Sequence, residues 1–132
     1  MDFSSLVLME RDSITNSFLN ELGSYEVVDG AEYITKMYYD GSLVNVFFDT
    51  NRDVEEWEFS AIFDLFDETP ILQEGFSLET NEDEYNPTFI VKFSYLEKHE
   101  EMENRLQRLC TLIKEQMEKV FEDINDKEEE YK

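Results

Sequence analysis

Arg52 to Phe66, RDVEEWEFSAIFDLF, is the stretch whose reading decides the fold. At period two, Trp57, Phe59, Ala61, Phe63 and Leu65 share one face and would suit a strand. At helical spacing, Trp57, Ala61 and Leu65 stack at i, i+4 and i+8, with Ile62 and Phe66 beside them. The ends favour the helix. Asp53 can cap it, Glu56 three residues on can complete a capping box, and Glu55 and Glu56 suit the positive end of the dipole. Pro70 closes the run, because it has no N–H to donate and steers the preceding residue out of helical geometry. A helix over 53–67 also turns most of its carboxylates outward, whereas a strand would set Ile62 and Phe66 among them.

Upstream of this helix the chain reads as sheet. Phe3 to Met9 is apolar and β-branched, a first strand. Phe18 to Val28 returns as a second, bulged at Gly23-Ser24, although Ile14, Phe18 and Leu22 also fit a short helix. Asp29-Gly30 and Asp40-Gly41 bracket Glu32 to Tyr39, and Leu43 to Phe48 follows. Asp-Gly takes the positive φ angles of tight hairpin turns, so an antiparallel meander is expected up to residue 49.

Downstream, Gly75 to Thr80 and Thr88 to Tyr95 read as a hairpin. Phe89, Val91, Phe93 and Tyr95 face one way, and Thr88, Ile90, Lys92 and Ser94 the other. The last element is a helix over His99 to Asn125. Met102, Leu106, Leu109, Ile113, Met117, Val120 and Ile124 form its apolar stripe, widened by Cys110 and Phe121, a pattern for lying across a sheet. Glu101–Arg105, Glu115–Lys119 and Asp123–Lys127 stand at i, i+4, where opposite charges meet. Glu128 to Lys132 reads as a frayed tail. The fold class is therefore α+β: one domain over 1–132, an antiparallel sheet of five or six strands (meander plus hairpin), and two helices packed on it. The expected core includes Val46, Phe48, Trp57, Ile62, Phe66, Phe89, Val91, Phe93, Leu106, Leu109, Ile113 and Val120.

Charge is the most unusual property of the chain. Its 132 residues hold 33 Asp and Glu against 11 Lys and Arg, a net charge of −22. Residues 1–96 carry 21 acids and 4 bases (−17), and 97–132 carry 12 and 7 (−5). From Asp53 to Val91 there are twelve acids and no base. With 41% hydrophobic and 14% aromatic residues, this is a domain with a core, not a disordered acidic polymer. Such a field repels nucleic acid and anionic membranes and attracts cationic proteins. The single cysteine, Cys110, cannot form an internal disulfide and suits a reducing compartment. The opening MDFSSLVLMERD lacks the basic region of a signal peptide, and its apolar run is too short to span a membrane, so a cytoplasmic location is expected.

Motifs with chemistry are sparse. Asp49-Thr50-Asn51-Arg52-Asp53 has the D-x-N-x-D opening of a calcium loop, but Val54 replaces the glycine and Ser60 the bidentate glutamate. No metal or other cofactor is expected. His99 and Cys110 lie ~16 Å apart along one helix, too far to act as a pair. With no phosphate loop and no catalytic constellation, the expectation is a non-enzymatic protein.

The run EYITKMYYDGSLVNVFFDTNRDVEEWEFSAIFDLF (32–66), with ELGSYEV at 21–27, resembles small acidic proteins of unknown function from clostridial bacteria; the resemblance spans most of the chain and implies no activity. The order of strands, helix, two strands and long helix is similar to that of type III secretion chaperones. That likeness implies a small, acidic, dimeric binder of other proteins, although those chaperones begin with a helix and this chain with a strand.

The functional expectation is a protein-binding adaptor or chaperone-like module, monomeric or homodimeric, that meets a basic partner through its acidic surface. The candidate residues are Glu55, Glu56, Glu58, Asp64, Asp67 and Glu68 on and after the central helix. Glu82, Asp83, Glu84 and Tyr85 in the later hairpin join them. The alternative is a nucleic-acid mimic that inhibits a DNA- or RNA-binding protein, since the 53–84 block has the required charge density.

Overall fold

The computed structural model describes residues 3–12, 14–15 and 17–132. Strands β1 (Phe3–Arg11), β2 (Phe18–Val28), β3 (Ile34–Tyr39) and β4 (Val44–Phe48) precede helices α1 (Glu56–Leu65) and α2 (Thr69–Gln73). A hairpin of β5 (Ser77–Asn81) and β6 (Thr88–Phe93) leads to α3 (His99–Ile124) and a one-turn helix, α4 (Glu128–Tyr131). The α+β class, the six strands and both expected helices are as the sequence indicated.

The sheet order is β2-β1-β3-β4-β6-β5, and it is mixed rather than wholly antiparallel. Every neighbouring pair is antiparallel except β1 and β3, which run parallel through Met9–Tyr38 and Glu10–Tyr39. The expected meander therefore breaks between β2 and β3. Asp29 and Gly30 do take positive φ (58° and 91°), as an Asp-Gly turn requires. The turn they make feeds a 3₁₀ turn at Ala31–Tyr33, which carries the chain past β1 to its far side. Asp40-Gly41, by contrast, closes the β3–β4 hairpin as expected. The Asp40 N–H donates to the Leu43 carbonyl at 3.1 Å, and the Asp40 carboxylate accepts the N–H groups of Ser42 and Leu43 at 2.9 and 2.8 Å.

β2 has two irregularities: one skips Leu19, where Glu10 pairs with Asn20 and Arg11 with Phe18, and the other falls one residue before the expected place. Leu8 pairs with Gly23 and Met9 with Glu21, leaving Leu22 unopposed.

Helix α1 is shorter than expected and capped differently. Glu55 stands at the N-cap, and its N–H donates to the Glu58 carboxylate at 2.9 Å, so the box is shifted from Asp53–Glu56. Phe66 ends the helix. Pro70 starts α2 rather than simply stopping α1, in the first turn, where a missing N–H costs nothing.

The helices cover one sheet face. Phe66 stacks on Phe89 at 4.5 Å, and Phe89 on Phe48 at 5.1 Å. Met102, Leu106, Leu109, Ile113, Met117 and Val120 of α3 are all buried in the same core, each such side chain contributing about 1.5–3 kcal/mol. Of the expected core, only Trp57 is half-buried; its indole N–H reaches the Glu55 carboxylate at 2.7 Å. On the opposite face Val7, Lys36, Tyr38, Phe47, Ile90 and Lys92 are exposed or half-buried, while Asn45 and Thr88 are buried.

Arg105, Lys119 and Lys127 do not make the i, i+4 pairs that the spacing suggested, although Lys114 does reach Glu118 at 3.9 Å. Arg105 donates to the Glu74 carbonyl at 2.7 Å and lies over Phe76. Arg108 pairs with the Glu74 carboxylate at 2.6 Å, and Lys119 with Asp67 at 3.6 Å. Lys127 turns to Glu130 instead of Asp123. In so acidic a chain, packing brings Arg108 and Lys119 carboxylates from neighbouring elements, and these compete with the one a turn away.

Candidate partner-binding surface

The ten candidate residues fall into two groups. Those on and after α1 are largely engaged within the molecule. Glu55 holds the Trp57 indole, and Glu58 accepts from the Glu55 N–H and from Arg52 at 3.3 Å. The Arg52 guanidinium lies 3.8 Å over the Phe121 ring, so Glu58 helps tie the strand-to-helix turn to α3. Asp64 accepts from the Tyr131 hydroxyl at 3.1 Å, which docks the C-terminal turn on α1. The tail is thus a helical turn in contact with the domain.

Asp67 accepts the Thr69 N–H at 3.0 Å. That bond first, and Lys119 to a lesser degree, holds its carboxyl below the usual range. Glu56 and Glu68 are exposed.

The second group is the β5–β6 turn. Glu82, Asp83 and Glu84 are exposed, and Tyr85 projects with 79% of its surface open to solvent. The turn is held from within: the Asp83 N–H donates to Asn81 Oδ1 at 3.1 Å, and Asn86 Nδ2 donates to Asp53 Oδ1 at 3.3 Å. The second bond sets the acidic turn beside the entrance to α1. Glu55 and Glu56 therefore lie toward the same end of the domain, whereas Asp64 lies ~12 Å further along the helix axis, and Asp67 and Glu68 follow the end of α1. A shallow cleft of about 280 Å³ runs between Tyr85, Glu84 and Asn86 and the side chains of Asp49, Lys36 and Phe47.

Sequence reasoning missed the character of the open sheet face. Three of the four bases in residues 1–96 gather there. Arg11 lies 4.4 Å over the Tyr38 ring, Lys36 lies 4.5 Å over Phe47, and Lys92 is 3.5 Å from Glu79. The available signal was period two, which sets Lys36 with Tyr38 and Lys92 with Ile90. The cross-strand pairing that joins the two sets is a tertiary fact.

The calcium-like loop is organised by its own backbone. Asp49 accepts the Asn51 N–H at 2.8 Å, Asn51 has φ 56°, and the Thr50 hydroxyl donates to the Arg52 carbonyl at 2.6 Å. Among the described residues no three His, Cys, Asp or Glu are grouped to hold a metal ion. Cys110 is buried, and burial pushes its thiol up to about 12. His99 stacks on Tyr25 at 5.0 Å and contacts Glu103 at 3.4 Å. No helix of the described residues is long and apolar enough to cross a membrane.

Fold and surface together define a two-layer α+β domain with an acidic hairpin turn at one end of its sheet. The chain belongs to DUF6762, a family of unknown function, whose model matches residues 1–132. No curated protein and no solved structure matches it.

Proposed function

We propose that this protein is a non-enzymatic adaptor or chaperone-like module of the cytoplasm that binds another protein, one with a basic surface, through its acidic end. The observation that carries the reading is the β5–β6 turn, where the exposed Glu82, Asp83 and Glu84 directly precede the exposed Tyr85. Carboxylates held in solvent accelerate encounter with a cationic surface more than they deepen final affinity. An exposed tyrosine beside them supplies the kind of contact that anchors protein interfaces.

The α1 acids contribute to the field, but several also hold internal bonds. The turn is therefore the place to test. Affinity capture from the native host would compare the chain with its Glu82→Gln, Asp83→Asn, Glu84→Gln variant, at low salt followed by a salt step. The reading requires a protein retained by the parent, released by salt and lost with the variant. Equal retention by both would reduce the acidic turn to a solubilising coat. A captured protein that binds DNA or RNA, and releases it when this chain is added, would favour nucleic-acid mimicry instead.

A further inference from the structure

The two edges of the sheet are finished differently. At the β2 edge, the outward N–H groups of Glu26 and Val28 donate to Glu103 and Gln107 of α3 at 2.9 and 2.6 Å, and the Val28 carbonyl accepts from Gln107 at 2.7 Å. At the β5 edge, no side chain among the described residues does the same for the outer backbone.

The groups left outward there can be identified. The Asp40–Leu43 bond closing the β3–β4 hairpin sets the phase, because bonded and non-bonded pairs alternate along antiparallel strands. Carried across the register, Tyr38–Asn45, then Val46–Val91, then Ser77–Lys92 and Glu79–Ile90 are the bonded pairs. The N–H and C=O of Leu78 and Thr80 therefore point away from β6.

We propose that this edge is a β-augmentation site that takes an extended basic segment of a partner protein as a seventh strand. The proposal rests on the acidic-surface reading above and supplies its binding mode. Charge selects the occupant. Glu79 lies on the strand, where Lys92 of β6 pairs with it at 3.5 Å, and Glu82, Asp83 and Glu84 just past its end carry the field that favours a cation. A second copy pairing here would oppose glutamate to glutamate between chains of net charge −22. A lysine- or arginine-bearing strand gains both the backbone bonds and the field.

The test is fluorescence anisotropy with a labelled peptide of alternating lysine and valine, about six residues long, the usual strand length. Three comparisons accompany it: the same peptide N-methylated at every internal residue, so that neither of its edges can donate, a glutamate–valine peptide, and the Thr80→Pro chain. Proline removes one outward N–H at an edge position that tolerates it. The lysine peptide should bind at low salt. N-methylation and Thr80→Pro should each weaken it about tenfold, as expected when edge bonds are lost and carbonyls stranded. The glutamate peptide should not bind.

If the methylated and parent peptides bind alike, the edge inference fails while the acidic-surface reading stands. If the glutamate peptide binds as well as the lysine peptide, the acidic-surface reading fails and the inference with it. No binding by the lysine peptide overturns the inference. So does sedimentation showing a dimer that Thr80→Pro converts to monomer, which would assign the edge to a second copy. The methylated peptide leaves the chain unaltered, so the result does not depend on the proline variant folding.

Discussion

Gly30 lies directly against the backbone carbonyl of Cys110, so closely that a Cβ at position 30 would collide with that oxygen. Gly30 also has φ +91°, and it sits where the chain leaves β2 to pass β1. One residue thus serves both the turn and the contact between that crossover and α3. Gly30→Ala should cost about 2–4 kcal/mol, from left-handed strain plus forced displacement of α3. Gly41 has φ +94° but open space around it, so Gly41→Ala should cost only about 1–2 kcal/mol. Urea denaturation of the two variants checks the difference; equal losses would place the crossover wrongly.

Arg105 joins α3 to the segment between α2 and β5 by donating to the Glu74 carbonyl while lying 3.8 Å over Phe76. Lysine keeps the charge but loses the planar stack and the directed bond. Arg105→Lys should cost about 1–2 kcal/mol. Glu101→Gln, the sequence-suggested partner, should change stability by less than about 0.5 kcal/mol. The reverse ranking would restore the intrahelical pair.

Leu109 is fully buried on the inner face of α3. Leu109→Ala should destabilise by roughly 2–5 kcal/mol in urea. A loss below about half a kcal/mol would mean that the helix presents another face to the sheet.

Stability should fall in alkali. Burial pushes the Cys110 thiol up to about 12 from 9.0, and burial, followed by Tyr95, pushes the Tyr25 hydroxyl up to about 12 from 10.0. Both groups ionise more readily in the unfolded chain, so above pH 9 it loses protons that the folded chain retains. Their contribution is complete below that pH and is lost progressively toward pH 12. Urea midpoints across this range should fall, and more gently in Cys110→Ala. A midpoint constant to about pH 11 would contradict the burial of both groups.

The parts legible in the sequence were those set by local periodicity. The α3 stripe, the alternating strands β4 and β6, and the Asp40-Gly41 turn follow from residues a few positions apart. What the sequence hid depends on partners distant in the chain. Asp29-Gly30 has hairpin chemistry, yet β3 pairs with β1, so the same dihedral angles serve a crossover. Glu58 completes the α1 cap where Glu56 was the expected residue, because Arg52 and the preceding turn start the helix at Glu56. Within the candidate surface, the exposure of Glu82 to Tyr85 was legible from a polar run. The bond of Asp64 to Tyr131 and the pairing of Asp67 with Lys119 were not, since those partners lie more than fifty residues away along the chain. The asymmetry of the two sheet edges was invisible for the same reason: Glu103 and Gln107 seal β2 from α3.

That asymmetry is the most direct test of the account. Amide hydrogen exchange of the free chain should show the Glu26 and Val28 N–H groups protected by their α3 acceptors, and those of Leu78 and Thr80 exchanging fast. Addition of the lysine–valine peptide at low salt should then slow exchange at Leu78 and Thr80, and high salt should reverse the effect. Leu78 and Thr80 amides already protected in the free chain, or unchanged when the peptide binds, would contradict the claim that this acidic edge receives the partner.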